Sequence, residues 1–522
     1  MNIKDTIRKQ INQVVRKKYQ QQDIVFQVEY PPKQELGDYS CNVAMVLGKK
    51  LKRKTFELAQ EIAQEFKGSH YFSKIDVVAP GFMNFFLKQT VLQDGVREIL
   101  KQKKNFGCLK PDKKMKIQVE FISANPTGPL TLANGRGGFC GDVLVNVLKL
   151  AGHEAQKEYY VNDSGEQVKK LGHSVLRDGE TQYSGEYIEK LAKENKSKDV
   201  TTAGAWATQE ILEKYIKPAV KKMGIEFDNW FSEKELHEKG KVDEMLNFLK
   251  KQNLVFEKDG ALWLKTAAGG QTDDKDRVLV KSNKEKTYFL ADIAYHWNKF
   301  KIRKFDRVIN LWGADHHGYV PRMQSAMAML GFENKLDVLL MQLVRLIKDG
   351  KEYKMSKRQG IYVELVDLID KVGLDVARFF FLMHATNKQM DFDFSLAKER
   401  SVKNPVFYVQ YAHARICSVI KKARKQKSKK VDIKKLEIAE KELIKELIKW
   451  PELVGEVAKN YEVHKVCFYA ISMADKFHNF YEKCQVIENG QVNNFRLELI
   501  QATKQVLENV LACLGVTAPE KM

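Results

Sequence analysis

Lys354 and Lys357, set around Met355 and Ser356 and followed by Arg358, are residues that could do phosphate chemistry. Each ammonium is a mobile point charge with three donors, suited to phosphate oxygens whose charge shifts during a reaction. Lys348-Asp349-Gly350-Lys351 just upstream has turn chemistry, which puts the lysines on a surface loop. A basic turn in a lysine-rich chain would read the same way, so a second element must carry the case.

That element lies upstream. Ile117, Val119 and Phe121 alternate with Gln118 and Glu120, predicting a strand with one buried face. A breaker-rich loop follows from Ser123 through Asn125, Pro126, Thr131, Asn134, Gly135, Arg136 and Gly137 to Gly138. Phe139, Val143, Leu144, Val147, Leu148 and Ala151 then recur at helical spacing. Strand, glycine-rich loop and helix start form a phosphate site, because free N–H groups and the helix dipole meet the ligand there. Such glycines serve equally often for tight packing.

Read together, these segments resemble a known family. Lys354-Met355-Ser356-Lys357 resembles the Lys-Met-Ser-Lys-Ser signature of class I aminoacyl-tRNA synthetases, with Arg358 in the last position. Ser123-Ala124-Asn125-Pro126-Thr127-Gly128-Pro129-Leu130, Tyr288 to His296, Trp312 to Tyr319, Asn404 to Arg415 and the ending Ala518 to Met522 resemble bacterial-type arginyl-tRNA synthetases, in family order along the whole chain. The resemblance implies activation of L-arginine by ATP to arginyl-adenylate, then transfer to the terminal adenosine of tRNA(Arg). ATP is a substrate and Mg2+ comes with it; no structural metal is expected.

Residue roles follow from the same resemblance. Lys354 and Lys357 serve catalysis on the pyrophosphate side, with Met355, Ser356, Gly135 and Gly137 completing the ATP site. Glu120, Asn125, Tyr288, Asp292, Asp315 and His316 fall at arginine-binding positions, with His317 an alternative to its two neighbours. A planar five-donor guanidinium calls for carboxylates, so Glu120 and Asp292 are the expected acidic pair; an ion pair with local lysines is the structural alternative. The family's His-x-Gly-His signature reads Thr131-Leu132-Ala133-Asn134 here, without either imidazole. Asn134 keeps a neutral donor and Thr131 a hydroxyl, and Arg136 is a nearby donor that could offset the loss.

The expected architecture is α/β. Residues 1–110 form an N-terminal α+β domain contacting tRNA, and 111–385 a Rossmann-type parallel-sheet catalytic domain with an insertion around 165–256. Residues 386–522 form a helical anticodon-binding domain in which most aromatics are core, with Tyr408 or Tyr411 candidates for base stacking. The basic run Lys421–Lys430 reads as a solvated helix end and loop.

Composition agrees with these expectations. A chain of 522 residues can bury several cores, and a net charge of +21 suits a large polyanion. A lysine-rich proteome would raise the charge as well. Seven scattered cysteines without paired spacing read as reduced thiols, and no apolar run suggests a leader or a span, so a cytoplasmic monomer without membrane contact is expected. Two other functions compete: a tRNA-binding paralogue that lost catalysis with the two histidines, and a small cofactor nucleotidyltransferase. The size and the basic helical C-terminal part disfavour the second; the retained lysines and acidic pair disfavour the first.

Overall fold

The computed structural model describes every residue except 1, 23, 267–272, 274, 353–363 and 430–434. The predicted strand is Lys116–Glu120, the centre of a five-stranded parallel sheet. Glu154–Val161 and then Asn229–Ser232 add on one side, and Arg307–Gly313 and then Leu336–Met341 on the other. The chain order therefore reverses between Lys116–Glu120 and Arg307–Gly313, and a doubly wound sheet opens a ligand crevice at that switch. The stretch expected as an insertion is not wholly outside the sheet. It holds helices Glu166–Leu176, Glu186–Glu194 and Val200–Ile211, but Asn229–Ser232 is the sheet's edge strand. Four residues with aromatic Trp230 and Phe231 are too short for their alternation to stand out among the helices.

The glycine-rich segment expected as a loop is instead the start of a helix, Leu132–Leu150. Thr131 and Asn134 make a capping pair that starts it, and the glycines let it press onto the sheet. A Cβ at Gly141 would stand 2.2 Å from Phe121 Cγ, and one at Gly138 2.4 Å from Met223 Cε.

A second small sheet, in which Val344–Lys348 pairs in parallel with Met390–Asp393, carries the turn that leads toward the signature lysines. Residues 354–358 themselves lie outside the described residues.

The N-terminal part packs helices on an antiparallel four-stranded sheet that includes Phe72–Val78 and Phe82–Leu87. Its first helix, Ile3–Tyr19, buries Ile3, Ile7, Ile11 and Val15 at a four-residue step. In the β-rich stretch 25–30 only Val28–Glu29 pairs, and Val25 is exposed. Among the described residues, the C-terminal part has five helices of eleven or more residues between Pro405 and Leu514. Within the basic run, helix Pro405–Ala423 gives way to a short strand, Lys427–Lys429, parallel to Gln491–Asn493. Buried Glu452 in this bundle accepts from the backbone N of Lys4 (2.9 Å), from Tyr39 Oη (3.2 Å) and from Tyr30 Oη, tying the two ends of the chain together.

Candidate active site

At the carboxyl edge of the sheet a cavity of about 1490 Å³ opens. Its floor begins where strand Lys116–Glu120 ends. Ile122 (φ 66°) and Ser123 (φ 38°) take left-handed conformations, strained for side chains with a Cβ and most of all for a β-branched one. The Ser123 hydroxyl holds the turn, donating to Glu120 Oε1 (3.3 Å) and accepting from the backbone N of Tyr160 (3.1 Å).

The sheet register sets three polar residues side by side: Asn310 beside Glu120, and Glu120 beside Glu158. Two carboxylates on adjacent strands repel unless cations or donors meet them. Helix Tyr288–Trp297 and the wider π turn Asn298–Ile302 supply these. Tyr295 Oη reaches Glu120 (2.9 Å) and Glu158 (2.5 Å), Lys299 Nζ donates to Glu120 Oε2 (2.5 Å), and Arg303 grips both oxygens of Glu158. Glu120 thus has the lysine partner of the structural alternative, yet its carboxyl still lines the cavity.

Asp292 stands on the same helix face and pairs with no cation among the described residues; it accepts from Tyr319 Oη at 2.5 Å. Burial pushes its carboxyl up to about 7, the Tyr319 hydrogen bond opposes that rise, and the charges of Glu233 and Glu120 add to it. Glu233 also lines the cavity and is almost wholly buried. A pocket walled by Glu120, Asp292 and Glu233 suits a cation.

The other expected residues divide. Asn125, Tyr288, Asp315 and His316 line the same cavity, and His317 is not among its lining. Asn125 Oδ1 accepts from Asn162 (3.2 Å), and Tyr288 Oη accepts from the backbone N of Glu166 (3.3 Å). Thr131, Ala133 and Asn134 form the neighbouring wall at the helix N-terminus. Asn134 Oδ1 is engaged by Thr131 N (2.9 Å) and Oγ1 (3.0 Å), so its NH2 group is what remains for a ligand. Gly135 and Gly137 are not part of the lining; a Cβ at Gly135 would meet Leu365 at 2.6 Å, which makes it a packing glycine.

Arg136 cannot serve as a phosphate donor. It is fully buried, and its guanidinium donates to the carbonyls of Gln342 (2.7 Å), Ala385 (2.8 Å) and Lys388 (2.7 Å), stapling the helix to the small sheet.

Sequence reasoning missed Tyr295, Lys299, Arg303 and Glu233. The first three were within reach: from Asp292 they follow at steps of three, four and four, which keeps them on one helix face. Glu233 had no such signal, because it enters the cavity from the edge strand's far end.

A parallel sheet with this reversal, its ligand crevice and a helical C-terminal part fit a class I aminoacyl-tRNA synthetase, and the chain matches that class by sequence. The family description "tRNA synthetases class I (R), catalytic domain" matches residues 181–402, "Arginyl tRNA synthetase N terminal domain" matches 1–87 and "DALR anticodon binding domain" matches 409–522. The arginine–tRNA ligase of Caldanaerobacter subterraneus subsp. tengcongensis is 42% identical, over 100% of this chain and 98% of its own. The chain belongs to the arginyl-tRNA synthetase family, and is an arginine–tRNA ligase. Two solved structures share the fold. The Thermus thermophilus arginyl-tRNA synthetase has a TM-score of 0.80 at 22% identity, covering 99% of this chain and 100% of that one. The Plasmodium falciparum arginyl-tRNA synthetase has a TM-score of 0.79 at 18% identity, covering 100% and 99%.

Proposed function

We propose that the cavity binds arginine at its acidic end and ATP at the helix start, so that carboxylate and α-phosphorus meet between them. The guanidinium pairs with Asp292, with Glu233 beside it; Glu120 and Asn125 face the amino and carboxylate end. Tyr288 covers the side chain, and Asp315 or His316 closes the sheet-edge wall. The carboxylate attacks the α-phosphorus, the bond to the β-phosphate oxygen breaks, and pyrophosphate leaves with the electron pair. At the helix N-terminus the Asn134 NH2 group gives a neutral donor to ATP, with Thr131 holding its Oδ1 at the ATP site, and Lys354 and Lys357 draw off charge on the leaving pyrophosphate. Met355 and Ser356 belong to the same ATP-binding signature, and Mg2+ enters with ATP. The terminal ribose hydroxyl of tRNA(Arg) then attacks the arginyl carbonyl and AMP leaves.

The single observation that carries this reading is a half-buried carboxylate, Asp292, in the sheet's switch-point cavity, paired with no cation among the described residues. Residues 1–110 are proposed to contact tRNA outside the acceptor end, 111–385 to catalyse and 386–522 to bind the anticodon. The enzyme acts as a cytoplasmic monomer; no helix among the described residues is long and apolar enough to cross a membrane. Pyrophosphate exchange, with and without tRNA, tests the assignment. Lys357→Ala is expected to cripple exchange, and Asn134→Ala to lower it by the smaller amount of one neutral donor. Equal losses would contradict the division of roles.

A further inference from the structure

Behind the acidic wall stands a buried lysine that lines no part of the cavity. Lys299 has no exposed surface; its Nζ lies 2.5 Å from Glu120 Oε2, 3.3 Å from Asn310 Oδ1 and 4.2 Å from the Tyr295 ring centre. It sits four residues beyond Tyr295, at the start of the π turn, and π turns of this kind recur at functional sites. The turn then carries Arg303 onto the same face, where it takes Glu158. Of the two adjacent strand carboxylates, Glu158 is spent on Arg303, whereas Glu120 remains on the cavity wall with Lys299 behind it.

We infer that Lys299 is a positioning residue for arginine: it fixes the Glu120 carboxylate from behind and sets the negative charge the cavity presents to the substrate. The inference rests on the acidic wall being the arginine site. Arginine brings a guanidinium and an α-ammonium, and its recognition needs carboxylates that are ionised and held in place. Lys299 holds the Glu120 carboxylate in place and favours the ionised form of Asp292, without touching the substrate. Its field reaches Glu120 and Glu158 on their strands and Asp292 and His296 on its own helix, with Arg303 beyond it; Glu233 acts on Asp292 from the far wall. Among these it lowers the proton affinity of Asp292, helps keep His296 neutral, and is itself held down by burial. The plainer role, neutralising two strand carboxylates for stability, predicts loss of folded protein and no change in how the folded enzyme reads arginine.

The test compares Lys299→Met, Glu120→Gln and the double variant with the parent full-length enzyme. It measures kcat/KM for arginine across pH, KM for ATP, and thermal melting. Lys299→Met is expected to lower arginine kcat/KM by about tenfold or more, leave KM for ATP within about twofold, and move the acid limb of the arginine profile up by about one pH unit. Compared well above that limb, where Asp292 is ionised in every variant, the double variant should be no worse for arginine than Glu120→Gln alone, because there Lys299 acts through that carboxylate. This neutral pair also keeps the test alive if Lys299→Met does not fold. An unmoved acid limb, matched losses for arginine and ATP, or a double variant clearly worse than Glu120→Gln would overturn the inference. Asp292→Asn serves as control: if it leaves arginine use intact, the cavity reading fails, whereas weakened arginine use with an unmoved Lys299→Met profile fails the inference alone.

Discussion

In the proposed site, Asp292 is expected to set the pH at which arginine is accepted. Its carboxyl is pushed up to about 7 by burial, and only the ionised form pairs with a guanidinium. Above that pH the site is ready; below it each pH unit protonates most of the remaining carboxylate. Arginine kcat/KM should therefore fall about tenfold per unit on the acid side of about 7, as free-enzyme titrations do. Tyr319 donates to Asp292 and holds its proton affinity down, so Tyr319→Phe should move that limb to higher pH. A pH–rate series on both proteins checks this, and a flat profile from pH 6 to 8 contradicts it. Removing one carboxylate from a desolvated charge pair costs about 2–5 kcal/mol, so Asp292→Asn should weaken arginine use far more than ATP use. Equal losses would make Asp292 structural. Glu120 and Asp292 were legible as acidic positions, but their separate fates were not: the lysine on Glu120 comes from a π turn that a strict 3.6-residue reading of the helix does not describe.

The element that joins the two halves of the site is helix Leu132–Leu150. Its N-terminus faces the cavity, its Arg136 staples the small sheet, and its glycines bring it onto strand Lys116–Glu120 and the residue after it. Gly141→Ala would drive a methyl into Phe121, and overpacking of this kind costs about 1–3 kcal/mol. Chemical denaturation should show that loss together with a raised KM for ATP, because the displaced helix carries Thr131 and Asn134. Unchanged stability would contradict the packing account. The strand–helix unit was legible because hydrophobic periods of two and then of about four succeed one another. The helix start was not, since glycines read as a loop until a cap and a close-packed strand are in view. Asn229–Ser232 was hidden for a related reason: an edge strand of four residues owes its place to its neighbour, Glu154–Val161, rather than to its own pattern.

At the scale of the whole molecule, the N-terminal domain is seated on the C-terminal bundle through Glu452. That carboxyl accepts from the Lys4 backbone and from Tyr39 and Tyr30, and burial raises its proton affinity. Glu452→Ala leaves those donors without their acceptor at about 1–3 kcal/mol for each buried one. The expected outcome is a raised KM for tRNA with arginine and ATP parameters kept, since none of the seat's residues lines the cavity. Parallel changes in all three would show that it supports the catalytic domain instead. With a net charge of +21, tRNA binding should also weaken steeply as salt rises. Domain order and the basic character were legible along the chain. The seat was not, because it joins residues more than four hundred positions apart.

The central claim is that a chain with Thr131 and Asn134 in place of two histidines charges tRNA with arginine. Aminoacylation of bulk tRNA by the purified, folded enzyme, with Mg-ATP and each of the twenty amino acids in turn, tests it most directly. The account predicts charging with arginine well above background and with no other amino acid. Absence of charging, or charging with a different amino acid, would contradict it.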